Sequence, residues 1–168
     1  MTYIKQTVIS NTSPLISFLE IIPDGNKIMK ALFEKVLIPE GVIEELTEKT
    51  GLTHEEYLKN HDIFDLIEVH LIPVNSSVPE IGKLDKGESQ AISLAIRENL
   101  ILIIDEKKGR KVGEINAGCT IERTAEQLVK ACNNGIITST SAAGHLHLLR
   151  ANKRLGDNVL NMFLAQLP

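Results

Sequence analysis

"LILIIDE", Leu100–Glu106, sets five consecutive aliphatic residues directly before two carboxylates. An aliphatic run of this length, closed by polar residues, is typical of a strand buried on both faces in a parallel sheet. Strand patterns also occur near residues 3–10, 35–39, 66–74 and 119–122, and helical patterns lie between them. This alternation predicts an α/β fold with a parallel sheet covered on both faces by helices.

The composition fits such a fold. The chain of 168 residues is 43% apolar and lacks Trp, so we expect one domain with an aliphatic core. Cys119 and Cys132 are too few for a disulfide framework and predict free thiols. Lys5 and Gln6 interrupt the first strand pattern, and the longest aliphatic run is five residues. These features predict a cytoplasmic protein without a signal peptide or membrane span.

Polar residues follow two of the predicted strands. Asn11 and Ser13 follow the first strand in "VISNTSPLI", and Asp105 and Glu106 follow "LILII". Ligands of open parallel sheets bind beyond the carboxyl ends of the strands. Helices packed there can add further acids, and the candidates are Glu44 or Glu45 and Asp85 or Glu88. Such an all-oxygen cluster is the kind of site that Mg²⁺ or Mn²⁺ prefers.

Each of these residues also has a simpler interpretation. Asp85 and Glu88 have the spacing of a helix-capping box, and Asp105 could cap a following helix. Asn11-Thr12-Ser13-Pro14 fits a helix start, with Ser13 as N-cap. The net charge of −4 gives no overall preference for nucleic acid. The basic segment Lys107–Lys111 fits either a solvated helix face or a phosphate contact.

Several segments in order resemble one known family. They are "VISNTSPLI", "VLIPEGVIEEL", "LDKGESQAISLAI", "ILIIDEKKGRKV" and "LVKACNNGII". This pattern resembles the PIN-domain superfamily, and more narrowly the VapC-like toxin ribonucleases with a "DTSPLI" opening and a "GE" helix. It runs from about residue 6 to residue 137. An unrelated α/β protein, with every acid a cap or surface residue, is the remaining alternative.

The resemblance implies a single domain over residues 1–168 with a three-layer α/β/α fold and a C-terminal helical extension at 138–168. It also implies a Mg²⁺- or Mn²⁺-dependent ribonuclease of single-stranded RNA, plausible as a toxin with a protein antitoxin and as a homodimer. The catalytic and metal-binding positions fall on Asn11, Glu45, Glu88 and Asp105. The substrate-binding positions fall on Ser13, Lys107, Lys108 and Arg110.

Three departures from the family pattern bear on activity. Asn11 stands where the superfamily has Asp, Glu106 stands where this branch often has a second Asp, and "IERT" (121–124) replaces a stretch that usually carries glycine. An amide oxygen can ligate Mg²⁺ but carries no charge, so we expect weaker metal binding and reduced activity. A further alternative to an active nuclease is a catalytically degenerate PIN domain that binds RNA or protein.

Overall fold

A computed structural model describes residues 2–168 of the chain. Within them a five-stranded, all-parallel sheet has the order β3-β2-β1-β4-β5. The strands are β1 (Gln6–Ser10), β2 (Phe33–Pro39), β3 (Ile67–His70), β4 (Leu102–Ile103) and β5 (Ile121–Glu122). The predicted parallel sheet is confirmed.

Nine α-helices flank the sheet within residues 2–168. They are α1 (Thr12–Ile16), α2 (Gly25–Leu32), α3 (Glu40–Thr47), α4 (His54–Asn60), α5 (Lys86–Glu98), α6 (Lys107–Lys111), α7 (Thr124–Asn133), α8 (Ser139–Ala151) and α9 (Asp157–Leu164). π-Helical turns extend α1 through Ser17–Ile21 and α6 through Val112–Asn116. Among the described residues, no helix is long and apolar enough to cross a membrane.

Alternation along the strands separates two hydrophobic cores. In β1, Val8 belongs to the larger core and Ile9 to the smaller one, and both side chains are buried. Leu102 and Ile103 of β4 divide in the same way. Because successive strand residues point to opposite faces, the sheet is apolar on both sides. Helix α5 contributes to the smaller core and α2, α7, α8 and α9 to the larger, which confirms the three-layer α/β/α architecture.

The sheet order brings the ends of β1 and β4 together. β1 lies between β2 and β4, with Ile9 opposite Leu102 and Ser10 opposite Ile103. The chain therefore leaves β1 toward one side of the sheet and returns on its other side at β4. Such a reversal of strand order opens a crevice at the carboxyl ends, where α/β proteins bind ligands.

The strands predicted near 3–10 and 119–122 are shorter in the structure, at Gln6–Ser10 and Ile121–Glu122, and two further local predictions differ. The predicted strand at 66–74 ends at His70, ahead of Pro73, which lacks the N–H that a ladder needs. The predicted N-cap was Ser13, but helix α1 begins at Thr12 with Asn11 as N-cap, and the Asn11 side chain makes no capping hydrogen bond. The Asn11 amide is therefore left to interact across the crevice.

The C-terminal helices share the core of the sheet. Leu146 and Leu149 of α8, and Leu160 and Phe163 of α9, belong to the larger hydrophobic core. The π-helical turn Ser17–Ile21, which follows α1, packs against α8. The burial of these side chains therefore fixes the position of the turn between α8 and α9 relative to α1.

Candidate functional site

Asn11 joins the ends of β1 and β4. Its backbone N–H donates to Ile103 O at 3.0 Å, and its side-chain Nδ2 donates to Glu106 Oε2 at 3.2 Å. The Asn11 side chain is buried, and its Oδ1 has no hydrogen-bond partner among residues 2–168. An unpaired buried acceptor of this kind costs about 1–3 kcal/mol, so Oδ1 is an atom that a ligand would satisfy.

Helix α3 supplies Glu45 rather than Glu44. Glu45 is half-buried, and its Oε2 accepts a hydrogen bond from Thr12 Oγ1 at 2.7 Å. Burial, and next the negative charge of Asp85, raise the Glu45 pKa, while hydrogen bonds from Thr12 and from the Gly87 backbone oppose them. Glu44 is exposed and pairs with Lys86 Nζ at 3.0 Å.

Helix α5 supplies Glu88 and uses Asp85 as a cap. The Asp85 side chain accepts from the Glu88 backbone N–H at 2.8 Å, so the capping interpretation holds for Asp85. Glu88 is only 7% exposed. Burial first, and then the charges of Asp85, Glu106 and Glu45, raise the Glu88 pKa to about 7. Glu88 therefore lies among several acids that disfavour its charged form.

Two glycines leave room for these carboxylates. A Cβ added at Gly87 would lie 2.5 Å from Glu45 Oε1, and one at Gly109 would lie 3.0 Å from Glu88 Oε1. Both distances are shorter than a normal nonbonded contact. A larger residue at Gly87 would displace the Glu45 carboxylate, and one at Gly109 would first meet Ile104 Cδ1 at 2.6 Å and then crowd Glu88.

Asp105 has a different environment from the other predicted acids. Its Oδ1 accepts from the Thr124 backbone N–H at 2.9 Å, and its Oδ2 accepts from Thr124 Oγ1 at 2.7 Å. Thr124 is the first residue of α7, so Asp105 holds α7 rather than the directly following α6. Burial raises the Asp105 pKa, and the two Thr124 hydrogen bonds oppose that shift.

Glu106 is a strand-end acid of the predicted cluster to which the family resemblance assigned no role. Besides accepting from Asn11, it lies close enough to Glu88 and to Asp105 to raise the pKa of both. The cluster Asn11, Glu45, Glu88 and Glu106 is named the acidic crevice below. The position of Glu106 at the same strand end was visible in the sequence, but which of two adjacent acids turns toward β1 was not.

The predicted substrate-binding residues separate into three environments. Lys107 is exposed, and Lys108 donates to the Lys83 carbonyl. Arg110 is half-buried and donates through Nε to the Asp105 carbonyl at 3.1 Å. Ser13 Oγ accepts from Arg154 Nη1 at 2.8 Å. Nothing in the local sequence around Arg154 indicated this contact, because 141 residues separate the two partners.

The side chains in and beside the acidic crevice form hydrogen bonds with neighbouring residues instead of converging on one point. Within residues 2–168, no three His, Cys, Asp or Glu side chains are arranged closely enough to hold a metal ion. Thr12 holds Glu45, Thr124 holds Asp105, and Asn11 holds Glu106. The crevice therefore brings several carboxylates into the region of the Asn11 amide without forming a closed ligand shell.

Comparison with known protein families identifies the family of this chain. The family model DUF3368, described as a PIN domain, matches residues 7–168, a range that includes helices α8 and α9 as well as the whole crevice. No curated protein matches the chain. The chain belongs to the PIN-domain superfamily.

Proposed function

We propose that this PIN domain is a metal-dependent endoribonuclease that hydrolyses phosphodiester bonds of single-stranded RNA in the acidic crevice. The observation that carries the proposal is the position of Glu88, which is 7% exposed, lies near Glu45 and Glu106, and has a pKa of about 7. Acids grouped at such an energetic cost are typical of functional sites.

The chemistry of the donor set, oxygen atoms only, suits a hard divalent cation, Mg²⁺ or Mn²⁺, which would draw these side chains closer together than they lie in this structure. Glu45, Glu88 and Glu106 offer carboxylate oxygens, and Asn11 Oδ1 is a buried oxygen that has no partner among the described residues. Positive charge would relieve the repulsion that raises the Glu88 pKa. When bound, the cation supplies a water of lowered pKa and stabilises the charge that develops on the leaving oxygen.

Asp105 takes a supporting role in this proposal. Both of its carboxylate oxygens accept hydrogen bonds from Thr124, so it fixes the end of β4 against α7 and adds negative charge from there. We therefore assign to Glu106 the direct ligand position that the family resemblance gave to Asp105. Lys107, Lys108 and Arg110 remain the proposed contacts to substrate phosphate, and Ser13 remains a proposed substrate-binding residue that orients a ligand or water.

The proposed biological role is that of a cytoplasmic toxin of the VapC-like group. The support is the order of the motifs quoted above, which also favours a protein antitoxin and a homodimer. Growth arrest on expression, relieved by the product of a small neighbouring reading frame, would test this role. Size-exclusion chromatography with light scattering would test the dimer.

Cleavage of labelled single-stranded RNA tests the enzymatic proposal. We expect cleavage with Mn²⁺ or Mg²⁺, none with EDTA, and a loss of about 100-fold or more in Glu106→Gln. The matched control is Glu55→Gln, which removes one acid from the exposed surface of α4. No metal-dependent cleavage by either the natural protein or Asn11→Asp would refute the proposal.

A second candidate function is a degenerate PIN domain that binds RNA or protein without cleaving it. The neutral Asn11 and the fully hydrogen-bonded Asp105 favour it, because both leave less negative charge free for a cation. Absence of RNA cleavage by the natural protein, together with cleavage by Asn11→Asp, would favour this second function.

A further inference from the structure

Arg154, near the other end of the chain, lies beside the residues that follow β1 and β4. It lies in the turn between α8 and α9, and its Nη1 donates to Ser13 Oγ at 2.8 Å, two residues beyond Asn11. The turn has a defined geometry, since Arg154 N–H donates to Leu149 O at 2.8 Å and Lys153 has a left-handed φ of 59°.

The support beneath Arg154 is rigid. Leu149 at the end of α8 and Phe163 of α9 are each 1% exposed and belong to the larger core. Arg154 itself is half-buried. Little side-chain entropy therefore remains to be lost when its guanidinium binds a ligand.

Arg154 belongs to a group of three arginines from separate segments, named here the arginine cluster: Arg110, Arg123 and Arg154. Arg110 donates to the Asp105 carbonyl at 3.1 Å, and Arg154 lies close enough to Asp105 to favour its charged form. Burial, and then the charge of Arg123, lower the Arg110 pKa, so these two cations lie near each other.

The arginine cluster is not neutralised by salt bridges. Among the described residues, the arginines that pair with a carboxylate are Arg97 and Arg150, with Glu98 and Asp157 as partners. Arg110 and Arg123 repel each other, while Glu114, Asp105 and Glu126 lie close enough to favour the charged form of Arg110. A bound anion with several oxygens would relieve that repulsion and use the remaining N–H donors.

We propose that Arg154, together with Arg110 and Arg123, binds the phosphate backbone of the RNA substrate next to the acidic crevice. This inference rests on the proposed function. The planar guanidinium of Arg154 suits a phosphate because its N–H donors match two phosphate oxygens, and the contact to Ser13 Oγ uses Nη1 alone. The C-terminal helices then supply a substrate contact in addition to core packing.

A purely structural role for Arg154 would be to tie the α8–α9 turn to α1 through Ser13. The two roles differ in their dependence on salt. A phosphate contact releases counterions when RNA binds, so its loss lowers the slope of log affinity against log salt, whereas loss of a structural tie does not.

The experiment measures anisotropy of a fluorescein-labelled single-stranded RNA in EDTA, which prevents cleavage, between 50 and 300 mM KCl. The variants are Arg154→Ala, Arg154→Lys and the control Arg150→Ala, which removes a positive charge from the same helix pair. We expect Arg154→Ala to bind about tenfold more weakly at 100 mM salt, with a slope smaller by about 0.7. Arg154→Lys should keep the slope, because it keeps the charge.

Cleavage kinetics with Mn²⁺ and thermal unfolding complete the test. We expect a higher KM with a smaller change in kcat for Arg154→Ala, at an unchanged or slightly lower Tm. If RNA is bound and cleaved but Arg154→Ala has the slope and KM of Arg150→Ala, this inference is overturned and the nuclease stands. If the natural protein neither binds nor cleaves RNA, both are overturned.

Discussion

The side-chain amide of Asn11 donates to Glu106 Oε2 at 3.2 Å and so links the carboxyl ends of two neighbouring strands. A carboxylate at position 11 would face Glu106 with a like charge in place of this hydrogen bond. The amide therefore stabilises the crevice in the absence of a cation and removes one unit of the charge that would attract one.

Asn11→Asp should exchange stability for metal affinity. In EDTA we expect a loss of about 2 kcal/mol in the free energy of unfolding. Two unit charges 4 Å apart repel by ~4 kcal/mol at an effective dielectric near 20. The expected loss is smaller because one of the two carboxyls can take up a proton. With Mn²⁺ we expect tighter binding and a larger rise in Tm than in the natural protein.

Chemical unfolding in EDTA and in Mn²⁺ would measure both effects. Asn161→Asp on the exposed surface of α9 is the matched control, since it adds the same charge away from the crevice. Equal stability of Asn11→Asp and Asn161→Asp in EDTA would contradict the prediction.

Asp105→Ala should destabilise the fold, because the N–H at the start of α7 loses its acceptor. We expect a loss of about 1–3 kcal/mol. Thr124→Val removes one of the two hydrogen bonds and should cost less. A double-mutant cycle of the two substitutions, followed by chemical unfolding, should give a clearly non-additive result. Strict additivity would show that the two residues do not act as one unit.

The fold could be predicted from the sequence because its signals are local and repeated. The aliphatic run before Asp105 has the burial pattern of a strand enclosed on both faces, and residues 85–98 have the apolar spacing of the helix that covers it. Such patterns depend on near neighbours in the chain. The parallel sheet and its helical layers followed from them, whereas the strand order β3-β2-β1-β4-β5 depends on pairing between distant segments and was not predicted.

The sequence predicted the region in which the candidate site residues lie, but not the hydrogen bonds between them. Strand ends and helix starts predicted one region for Asn11, for Glu44 or Glu45 and for Asp85 or Glu88, and the family resemblance selected Glu45 and Glu88. The structure places Glu45 against Thr12, next to Asn11, and near Glu88. Which of Asp105 and Glu106 bonds to Asn11 and which to Thr124 depends on side-chain torsions that no spacing encodes. Arg154 was missed because its partner Ser13 lies 141 residues away.

Gly87→Ala should affect the crevice more than the fold. The added Cβ would lie 2.5 Å from Glu45 Oε1, which is the end of a flexible side chain and can rotate away. We therefore expect a near-normal Tm but Mn²⁺ affinity lower by about tenfold, since one ligand is displaced. Isothermal titration calorimetry would measure the affinity.

Gly144→Ala in α8 is the matched control for this substitution, because its Cβ would meet nothing within 4 Å. It should leave Mn²⁺ affinity unchanged and stabilise the helix by up to about 1 kcal/mol. The same affinity in both variants would show that Glu45 is not a ligand.

Glu88 should make stability fall with pH in the absence of metal. The folded protein raises the Glu88 pKa from 4.5 to about 7, so between these values the folded state holds more protons than the unfolded state. The free energy of unfolding therefore decreases as pH rises through that window. Glu88→Gln cannot titrate, and it should equal the natural protein near pH 4.

Near pH 8 in EDTA, Glu88→Gln should exceed the natural protein in stability by about 1 kcal/mol, a value discounted for solvent screening. Saturating Mn²⁺ should reverse the order, because the cation favours the ionised carboxylate that the variant lacks. Glu56→Gln is the control of opposite sign, since hydrogen bonds from Thr53 lower the Glu56 pKa. Urea unfolding at several pH values measures the free energy of unfolding of all three proteins. If the difference in this free energy between Glu88→Gln and the natural protein does not change with pH, Glu88 ionises normally.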